Sequence, residues 1–340
     1  MSIRFAFVGF RHAHIRDMFT RCQQHADIEI VACCEQDPET REQLAREGQI
    51  PVTHENYEAL LAETECDVIA IGDVYGQRGG LITRALETGR HVISDKPLCI
   101  SLGELDQIEQ LASTQGRIVS GMLDMRDLPV FLGLRELIRA DRIGPIRAIS
   151  FDGQHPLMYG TRPDWYFDPG MHGGTLNDIA IHAIDFIPWA TGQDLECLLA
   201  ARSWNANLPE VPHFHDGGQA LLTLQNGAGV MGDVSYLLPD SFGYQMPLYW
   251  RFVFWGADGV LEAGVNTPTI RLYQNGEQEA RELPLPAGKP GAYLEAFLAE
   301  IQGTVTDLHL SSAEVLRATR LTLRIQQAAA DGTANLALCD

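Results

Sequence analysis

The chain has 340 residues, which is more than one hydrophobic core usually serves and therefore suits two domains. Hydrophobic residues make up 45% and charged residues 21%, a composition typical of folded proteins that excludes extended disorder. The net charge of −20 repels phosphate groups, and it therefore argues against nucleic-acid binding and against binding to anionic membranes.

No apolar run approaches the roughly 18 residues of a membrane-spanning helix. The short apolar stretch after Met1 ends at Gly9 without a small-residue cleavage site, so we expect no secretory signal. The 7 cysteines are scattered and form no C-x-x-C motif, which indicates neither a zinc site nor a disulfide framework. We expect a cytoplasmic protein without a bound metal.

The first third alternates short apolar runs with amphipathic stretches, the pattern of a doubly wound parallel sheet. The predicted strands are Ile3–Gly9, Ile28–Cys34, Val52–Thr53, Asp67–Gly72, His91–Ser94 and Arg117–Met122. The predicted helices are Ile15–Gln24, Pro38–Glu47, Tyr57–Ala62, Gly80–Thr88 and Ser101–Gln115, the last with Glu104 at capping-box distance from Ser101. Residues 1–122 are therefore predicted to form an α/β Rossmann-type domain that binds a dinucleotide.

After Met122 the pattern changes to an α+β domain over residues 123–340, with a large, mostly antiparallel sheet. A helix at Pro129–Ala140 and a strand at Ile146–Asp152 precede an irregular stretch, and Thr175–Trp189 is predicted to be a buried helix. Strands dominate residues 196–282, and helices at Ala292–Gln302 and Ser312–Asp331 close the chain. The run Leu248–Trp255 is apolar on both faces, which predicts homodimers or homotetramers through this sheet.

The first strand runs into a turn where a dinucleotide-binding fold has G-x-G-x-x-G. Only Gly9 is present, because Arg11 and His14 occupy the other two glycine positions. Two interpretations remain open: the amides at the helix start, aided by Arg11, receive a pyrophosphate, or this is a plain strand–helix turn. His12 and His14 are a weak metal pair, since no acid or cysteine lies nearby in sequence.

Glu35 ends the second strand, near the position of the acid that binds the ribose in this fold. A carboxylate there accepts hydrogen bonds from both ribose hydroxyls and repels a 2′-phosphate, which favours NAD over NADP. The alternative is a solvated turn residue, and Asp37 is a candidate N-cap before Pro38.

Lys96 follows the fifth predicted strand, at the sheet edge where ligands of α/β folds collect. The chain has only one other lysine, Lys289, and all the other residues of its lysine and arginine total are arginines. An amine loses its proton when desolvated, whereas a guanidinium does not, so a lysine here indicates ammonium chemistry. Pro97 restricts the backbone and makes the Lys96–Pro97 bond a candidate for the cis form. An exposed lysine at a strand end is the alternative.

Asp178 and His182 follow Gly173 and Gly174 in a stretch of apolar residues. At a spacing of four they share a face of a helix, where the carboxylate can orient the imidazole for proton transfer. Taken alone, the pair is better interpreted as a satisfied structural pair. Asp185 continues the pattern and is interpreted as structural.

Together these motifs resemble the glucose–fructose oxidoreductase/inositol dehydrogenase (Gfo/Idh/MocA) family, over nearly the whole chain. The resemblance implies an NAD(P)-dependent dehydrogenase of sugars, cyclitols or related polyols, with a Rossmann domain and an open-faced sheet that mediates oligomers. It assigns catalysis to Lys96, Asp178 and His182. It assigns cofactor binding to Gly9, Phe10, Arg11, His12, Glu35, Asp73, Lys96 and Pro97. The chain departs from the family at the two missing glycines and at Gly72–Arg78, which lacks the usual T-P-N-x-x-H pattern.

The leading hypothesis is an NAD-dependent oxidoreductase in which His182, oriented by Asp178, takes the hydroxyl proton and Lys96 polarises the oxygen. Candidate substrate-binding residues are Arg126, His155, Tyr159, Arg162, Trp165, Tyr166 and His172. The alternatives are a lyase or hydrolase that uses tightly bound NAD for transient oxidation, and a non-enzymatic member with impaired cofactor binding. A metal enzyme using His213–Asp216, which we place in a loop, is the weakest alternative.

Overall fold

The computed structural model describes residues 2–304 and 310–339. Packing divides the chain into two compact units. The first holds the described residues of Met1–Leu123, Gly170–Gly173 and Gly291–Thr319. The second holds those of Asp124–Pro169, Gly174–Pro290 and Arg320–Asp340. None of the described helices is long and apolar enough to cross a membrane.

The first unit is built on a parallel sheet with strand order β2-β1-β3-β4-β5. Its strands are β1 Ile3–Val8, β2 Ile28–Cys34, β3 Val68–Ile71, β4 His91–Ser94 and β5 Val119–Gly121. The intervening helices are α1 His14–Gln24, α2 Pro38–Glu47, α3 Tyr57–Glu63, α4 Tyr75–Glu87 and α5 Leu102–Gln115. The chain order reverses between β1 and β3, and ligands of open α/β sheets bind at such a switch point.

Burial explains why these runs become central strands. All four residues of β3 are buried, as are Phe5–Val8 of β1, because helices cover both faces of a doubly wound sheet. The third predicted strand, at Val52–Thr53, is wrong: the described segment makes only an isolated bridge between Cys34 and His54. The capping box of α5 is confirmed, since Ser101 Oγ accepts from the Glu104 amide.

The second unit contains α6 Pro129–Arg139, β6 Ile146–Pro156 and a π-helix at Leu176–Ala180 that continues into α7 Ile181–Thr191. Its further strands are β7 Leu195–Trp204, β8 Gly217–Leu224, β9 Gly229–Leu238, β10 Trp250–Gly256, β11 Gly259–Gly264, β12 Thr269–Gln274 and β13 Arg281–Pro284. Near the end of the chain are α8 Ala292–Ile301, which belongs to the first unit, α9 Ser312–Asp331, which is divided between the units after Thr319, and β14 Leu336–Ala337.

The sheet of the second unit has the order β13-β12-β11-β10-β6-β9-β8-β7-β14, and only β6 and β9 pair in parallel. The prediction of a large, mostly antiparallel sheet is confirmed. One face packs on α6 and α7 through a stack of rings that includes Phe131, Phe186 and Phe252. Alternate residues on the other face stay exposed within the chain, among them Met231 and Trp255.

Candidate active site

The turn after β1 is shaped by Gly9, which has a φ of 76°. A Cβ atom there would lie 2.5 Å from the Cβ of Asp73, so the close approach of the two segments requires glycine. The turn leads into α1, whose capping position is Ala13 and therefore offers no side-chain acceptor to the first amides. An anionic group can accept from such amides at the end of a parallel strand.

Glu35 braces this turn from the end of β2. Its carboxylate accepts from the Phe10 amide at 2.6 Å and from the Asp37 amide at 2.8 Å, and the side chain is fully buried. Burial raises the pKa of Glu35, although the two amides oppose that rise. In this conformation the carboxylate holds the backbone of the turn, so its binding to ribose hydroxyls stays a prediction.

Arg11, at the second glycine position, forms an ion pair with Asp73. Its Nε donates to Asp73 Oδ1 at 2.6 Å, and a terminal nitrogen donates to Gln77 Oε1 at 2.7 Å. Among the described residues, Asp73 Oδ2 is buried and has no hydrogen-bond donor. A buried acceptor beside a tight glycine turn and a helix start without a side-chain cap fits a ligand that carries both hydroxyls and phosphates, as a dinucleotide does.

A buried hydrogen-bonded array connects the turn to the end of β4. His12 Nδ1 contacts Asp95 Oδ2, and His12 Nε2 is 3.1 Å from the Tyr75 hydroxyl. Burial lowers the pKa of His12 to about 4 despite the neighbouring Asp95. Burial alone would raise the pKa of Asp95, but Arg78, with His12 and His14, holds it well below its ordinary value.

His12, His14 and Asp95 also place three possible metal-ligand atoms within 4.8 Å of one another. The sequence argument against a metal pair was therefore incomplete, because folding brings Asp95 to the two histidines. The carboxylate is already paired with Arg78, whose terminal nitrogen lies 2.9 Å from Asp95 Oδ2. A divalent cation would have to sit beside this guanidinium, so the arrangement favours the hydrogen-bonded array over a metal site.

Lys96 lies at the carboxyl end of β4 and is 6% exposed. The Lys96–Pro97 peptide bond is cis. The fully buried Arg78 fixes this segment, because it donates to the carbonyl oxygens of Lys96 at 2.5 Å, Pro97 at 3.1 Å and Asp73 at 2.7 Å. The backbone that carries the lysine is thus held by one guanidinium.

In the second unit, Asp178 lies in the π-helix and not in the regular helix predicted for Thr175–Trp189. The wider turn changes the face relationships on which the spacing argument relied, and π turns are frequent at functional sites. The Tyr236 hydroxyl donates to Asp178 Oδ2. His182, in α7, is 8% exposed, and its ring packs edge-on against Trp250 with centroids 5.8 Å apart.

Aromatic and basic side chains gather around Tyr236. The His155 ring lies 5.9 Å from the Tyr236 ring and 5.1 Å from the Tyr249 ring. The guanidinium of Arg162 lies over the rings of Tyr166 and Tyr236, at 4.6 and 5.1 Å from their centroids. A cluster of rings with an acid and a cation can bind a polar ring-shaped ligand.

Two family models match the chain. The model of the oxidoreductase family with an NAD-binding Rossmann fold (GFO_IDH_MocA) matches residues 3–122, and the GFO/IDH/MocA C-terminal domain matches residues 131–262. The chain belongs to the Gfo/Idh/MocA family. The family is therefore one of oxidoreductases with an NAD-binding fold, as the resemblance implied.

Relatives of known name are sugar and diol oxidoreductases. The chain is 26% identical to a dTDP-3,4-didehydro-2,6-dideoxy-alpha-D-glucose 3-reductase of Streptomyces violaceoruber, over 81% of this chain and 80% of that protein. It is 23% identical to the trans-1,2-dihydrobenzene-1,2-diol dehydrogenase of Sus scrofa, over 51% of this chain. The chain spans about half the length of this and other curated relatives it matches. A putative oxidoreductase from Erwinia carotovora atroseptica has the same fold, with a TM-score of 0.84, 26% identity and coverage of 96% and 99% of the two chains.

Some of the residues proposed for the Gfo/Idh/MocA site make other contacts in the structure. Arg126 forms a buried ion pair with Asp185, with a nitrogen–oxygen distance of 2.5 Å, which makes it part of the core. Tyr159 is 47% exposed and packs on Phe167. His172 belongs to the first unit, where its ring lies 5.7 Å from Tyr75. Trp165 is buried and stacks on Tyr166 at 4.0 Å.

The loop His213–Asp216 is held by separate structural contacts. His213 lies 2.7 Å from the Phe167 carbonyl, and His215 lies 2.8 Å from Ser203 Oγ. Asp216 accepts from the amides of Ala206 and Asn207. These different partners disfavour the metal enzyme that the sequence left open.

Sequence reasoning missed Arg78 and Tyr236. Arg78 stands in the stretch that departs from the family pattern, on a helix whose neighbouring residues Leu81 and Ile82 are buried. An arginine on an apolar helix face could have indicated a buried acid partner. The residues around Tyr236 in sequence do not mark it as functional, because it occupies an ordinary position in a strand whose side chains alternate between two faces.

Proposed function

We propose that the chain is an NAD-dependent dehydrogenase that oxidises a CH–OH group of a sugar, cyclitol or related polyol. The observation that carries this proposal is the position of Lys96, the lysine of the family motif, at the carboxyl end of β4 on a backbone held by Arg78. A backbone held in this way suits the precise positioning that a catalytic side chain requires.

Gly9, Phe10, Arg11 and His12 would hold the cofactor at the start of α1, with Asp73 and Pro97 at the neighbouring strand ends. When bound, NAD supplies the acceptor for the hydride. NAD is preferred to NADP because Glu35 and Asp37 both lie at the end of β2. The amide and hydroxyl of Thr40 lower the pKa of Asp37 although burial opposes this, so its charge repels a 2′-phosphate.

Lys96 donates a hydrogen bond to the reacting hydroxyl oxygen and so lowers the barrier to its ionisation. His182 accepts the hydroxyl proton as general base. Asp178 stabilises the imidazolium that results, and the Tyr236 hydroxyl holds the Asp178 carboxylate in place. The substrate thereby loses a proton from oxygen and a hydride from carbon, and a ketone or aldehyde forms.

The open face of the second unit's sheet supports a homodimer or homotetramer. Met231 is 61% exposed and Trp255 is 49% exposed, and the smaller apolar side chain of Val260 lies on the same face. A second copy would cover these apolar side chains. The 7 cysteines, all in the described part of the chain, are not joined in disulfides there, which favours a reducing compartment, and we propose the cytoplasm.

The test begins with cofactor binding and continues with turnover. Purified protein is titrated with NADH by fluorescence and is then assayed with NAD and a panel of sugars and cyclitols by absorbance of the reduced cofactor. NADH binding and substrate-dependent NADH formation are expected. His182→Asn should lower kcat strongly and leave NADH affinity nearly unchanged. A net change of the sugar without NADH accumulation, or the absence of NADH binding, would contradict the proposal.

A further inference from the structure

The guanidinium of Arg162 is the cation of the aromatic cluster in the second unit, and it is half-buried. Its flanking rings, Tyr166 and Tyr236, lie at 4.6 and 5.1 Å. Aromatic faces attract a cation through their quadrupole, but they carry no net charge. The positive charge of Arg162 is therefore accommodated by the rings without being neutralised.

The hydrogen bonds of Arg162 occupy one edge of its guanidinium. Nε donates to the Leu157 carbonyl at 2.9 Å, and one terminal nitrogen, Nη2, donates to the Pro156 carbonyl at 2.8 Å and to the Tyr244 hydroxyl at 3.3 Å. For Nη1, the structure shows no acceptor among residues 2–304 and 310–339. Within the same residues, no carboxylate oxygen lies within 4.0 Å of the guanidinium.

Some other arginines of this unit, exposed or buried, have acid partners. Arg126 pairs with Asp185, and Arg251 pairs with Glu262 at 2.7 Å. The chain is rich in acids, with 45 of them against 25 lysines and arginines, yet none of the acids that the structure describes pairs with Arg162. A partly desolvated cation is costly unless an anion is supplied, and a bound ligand can supply it.

Arg162 is also separated from the proposed catalytic acid by a single side chain. The Tyr236 ring contacts Arg162, and the Tyr236 hydroxyl donates to Asp178. Burial and the Asp178 carboxylate hold the pKa of Tyr236 well above its ordinary value, so the hydroxyl remains a donor. One molecule of the size of a sugar can therefore place an anionic group on Arg162 and a hydroxyl near Asp178.

We propose that the substrate carries a carboxylate group and that Arg162 binds it, which makes the substrate class a sugar acid such as a uronate or an aldonate. This inference rests on the proposed function of the Asp178 site. Nη1 is left to donate a charge-assisted hydrogen bond to one oxygen of a carboxylate. A carboxylate matches the single positive charge of Arg162, whereas a phosphate ester would bring about two negative charges to a chain that is already acidic.

Matched sugar pairs test the inference by calorimetry on the full chain, both without cofactor and with saturating NADH. D-glucose is compared with D-glucuronate, and D-galactose with D-galacturonate. D-glucose 6-phosphate tests whether the site prefers a phosphate group. At least one uronate should bind about tenfold to about a hundredfold more tightly than its neutral partner. Arg162→Gln should reduce that ratio to near one, and Arg162→Lys should retain part of it.

Arg135→Gln is the matched control, because Arg135 also lies over a ring of the second unit, that of Trp189 at 4.6 Å. It should leave the preference unchanged. If Arg162→Gln does not fold, the wild-type ratios and the Arg162→Lys protein decide. The inference is overturned if no uronate binds better than its neutral partner, if the preference survives Arg162→Gln, or if the sugar phosphate is the tighter, Arg162-dependent ligand.

The two proposals fail separately. Binding is measured without turnover, so an Arg162-dependent uronate preference with no NADH formation from any sugar would refute the dehydrogenase activity and support the anion site. NADH formation from neutral polyols with no preference for acids would support the dehydrogenase and overturn the anion site.

Discussion

Replacing Arg78 with methionine should destabilise the first unit more than any exposed charge change on the same helix. The substitution removes the donor to the buried Asp95 carboxylate and to the carbonyl oxygens of Asp73, Lys96 and Pro97. Asp95 is fully buried, so its charge would be left without its guanidinium. Removing one partner of a buried ion pair costs about 3–5 kcal/mol.

Arg84 provides the matched control, because it lies on the same helix α4 and also pairs with two acids, Glu58 and Glu87. Those pairs are exposed and screened by solvent, so Arg84→Met should change stability little. For a unit of this size, the loss in Arg78→Met corresponds to a melting temperature lower by on the order of 10 °C. Arg78→Lys should fall between the two, since an ammonium group cannot reach all four acceptors in one plane.

Differential scanning calorimetry of the three variants at pH 7 measures the effect, with circular dichroism to confirm the fold before heating. Equal melting temperatures for Arg78→Met and Arg84→Met would refute the reasoning, because they would mean that the buried array contributes no more than an exposed pair. A variant that folds normally but loses turnover alone would show that Arg78 positions Lys96 without stabilising the unit.

Four further predictions concern the site and the assembly. Lys96→Arg should be nearly as inactive as Lys96→Ala, because a guanidinium keeps the charge but cannot yield a proton, and full activity in Lys96→Arg by steady-state kinetics would contradict this. In paired titrations NADH should bind more tightly than NADPH; the reverse order would mean that Arg11 captures the 2′-phosphate. Light scattering at micromolar concentration should give a dimer or tetramer, and a monomeric mass would refute association through the sheet. Since the pKa of His12 is lowered to about 4 from the ordinary 6.5, the unfolded state binds its proton first, and stability should fall as the pH drops from 6.5 towards 4. His12→Gln should flatten that dependence in thermal melts.

The fold class was predictable because each domain has its own characteristic pattern of apolar residues. β3 is apolar throughout, β1 is apolar and buried from Phe5 to Val8, and amphipathic helices flank both strands, as a parallel sheet requires. The start of α4 was not predictable from propensity. The sequence suggests a helix from Gly80, yet the helix begins at Tyr75. Gly76 lies in its first turn, where a Cβ would lie 2.3 Å from the Gly170 carbonyl oxygen. A glycine that weakens the helical pattern is there to allow close packing.

The candidate site was predictable only where a motif marks a strand end. Lys96 could be placed because the carboxyl ends of parallel strands meet at one edge. The partnership of His12 with Asp95 spans 83 positions in sequence, and that of Tyr236 with Asp178 spans 58, so local patterns carried no signal for either. Glu35 shows a different limit: its position was predicted, but its carboxylate bonds to backbone amides that any residue could supply.

The two departures from the family pattern meet in the structure. Arg11 of the glycine turn pairs with Asp73 of the Gly72–Arg78 stretch, and His12 of the turn contacts Tyr75 of the stretch. Arg78 and His12 both bind Asp95, the residue that precedes the motif lysine. Two unrelated losses would leave charged groups unmatched at a buried strand edge. Here Arg11 and His12 have partners in the Gly72–Arg78 stretch, and His14 and Arg78 both contact Asp95. The departures therefore form one interdependent arrangement around the Lys96 backbone, which is the outcome expected of a site that is maintained for binding or catalysis.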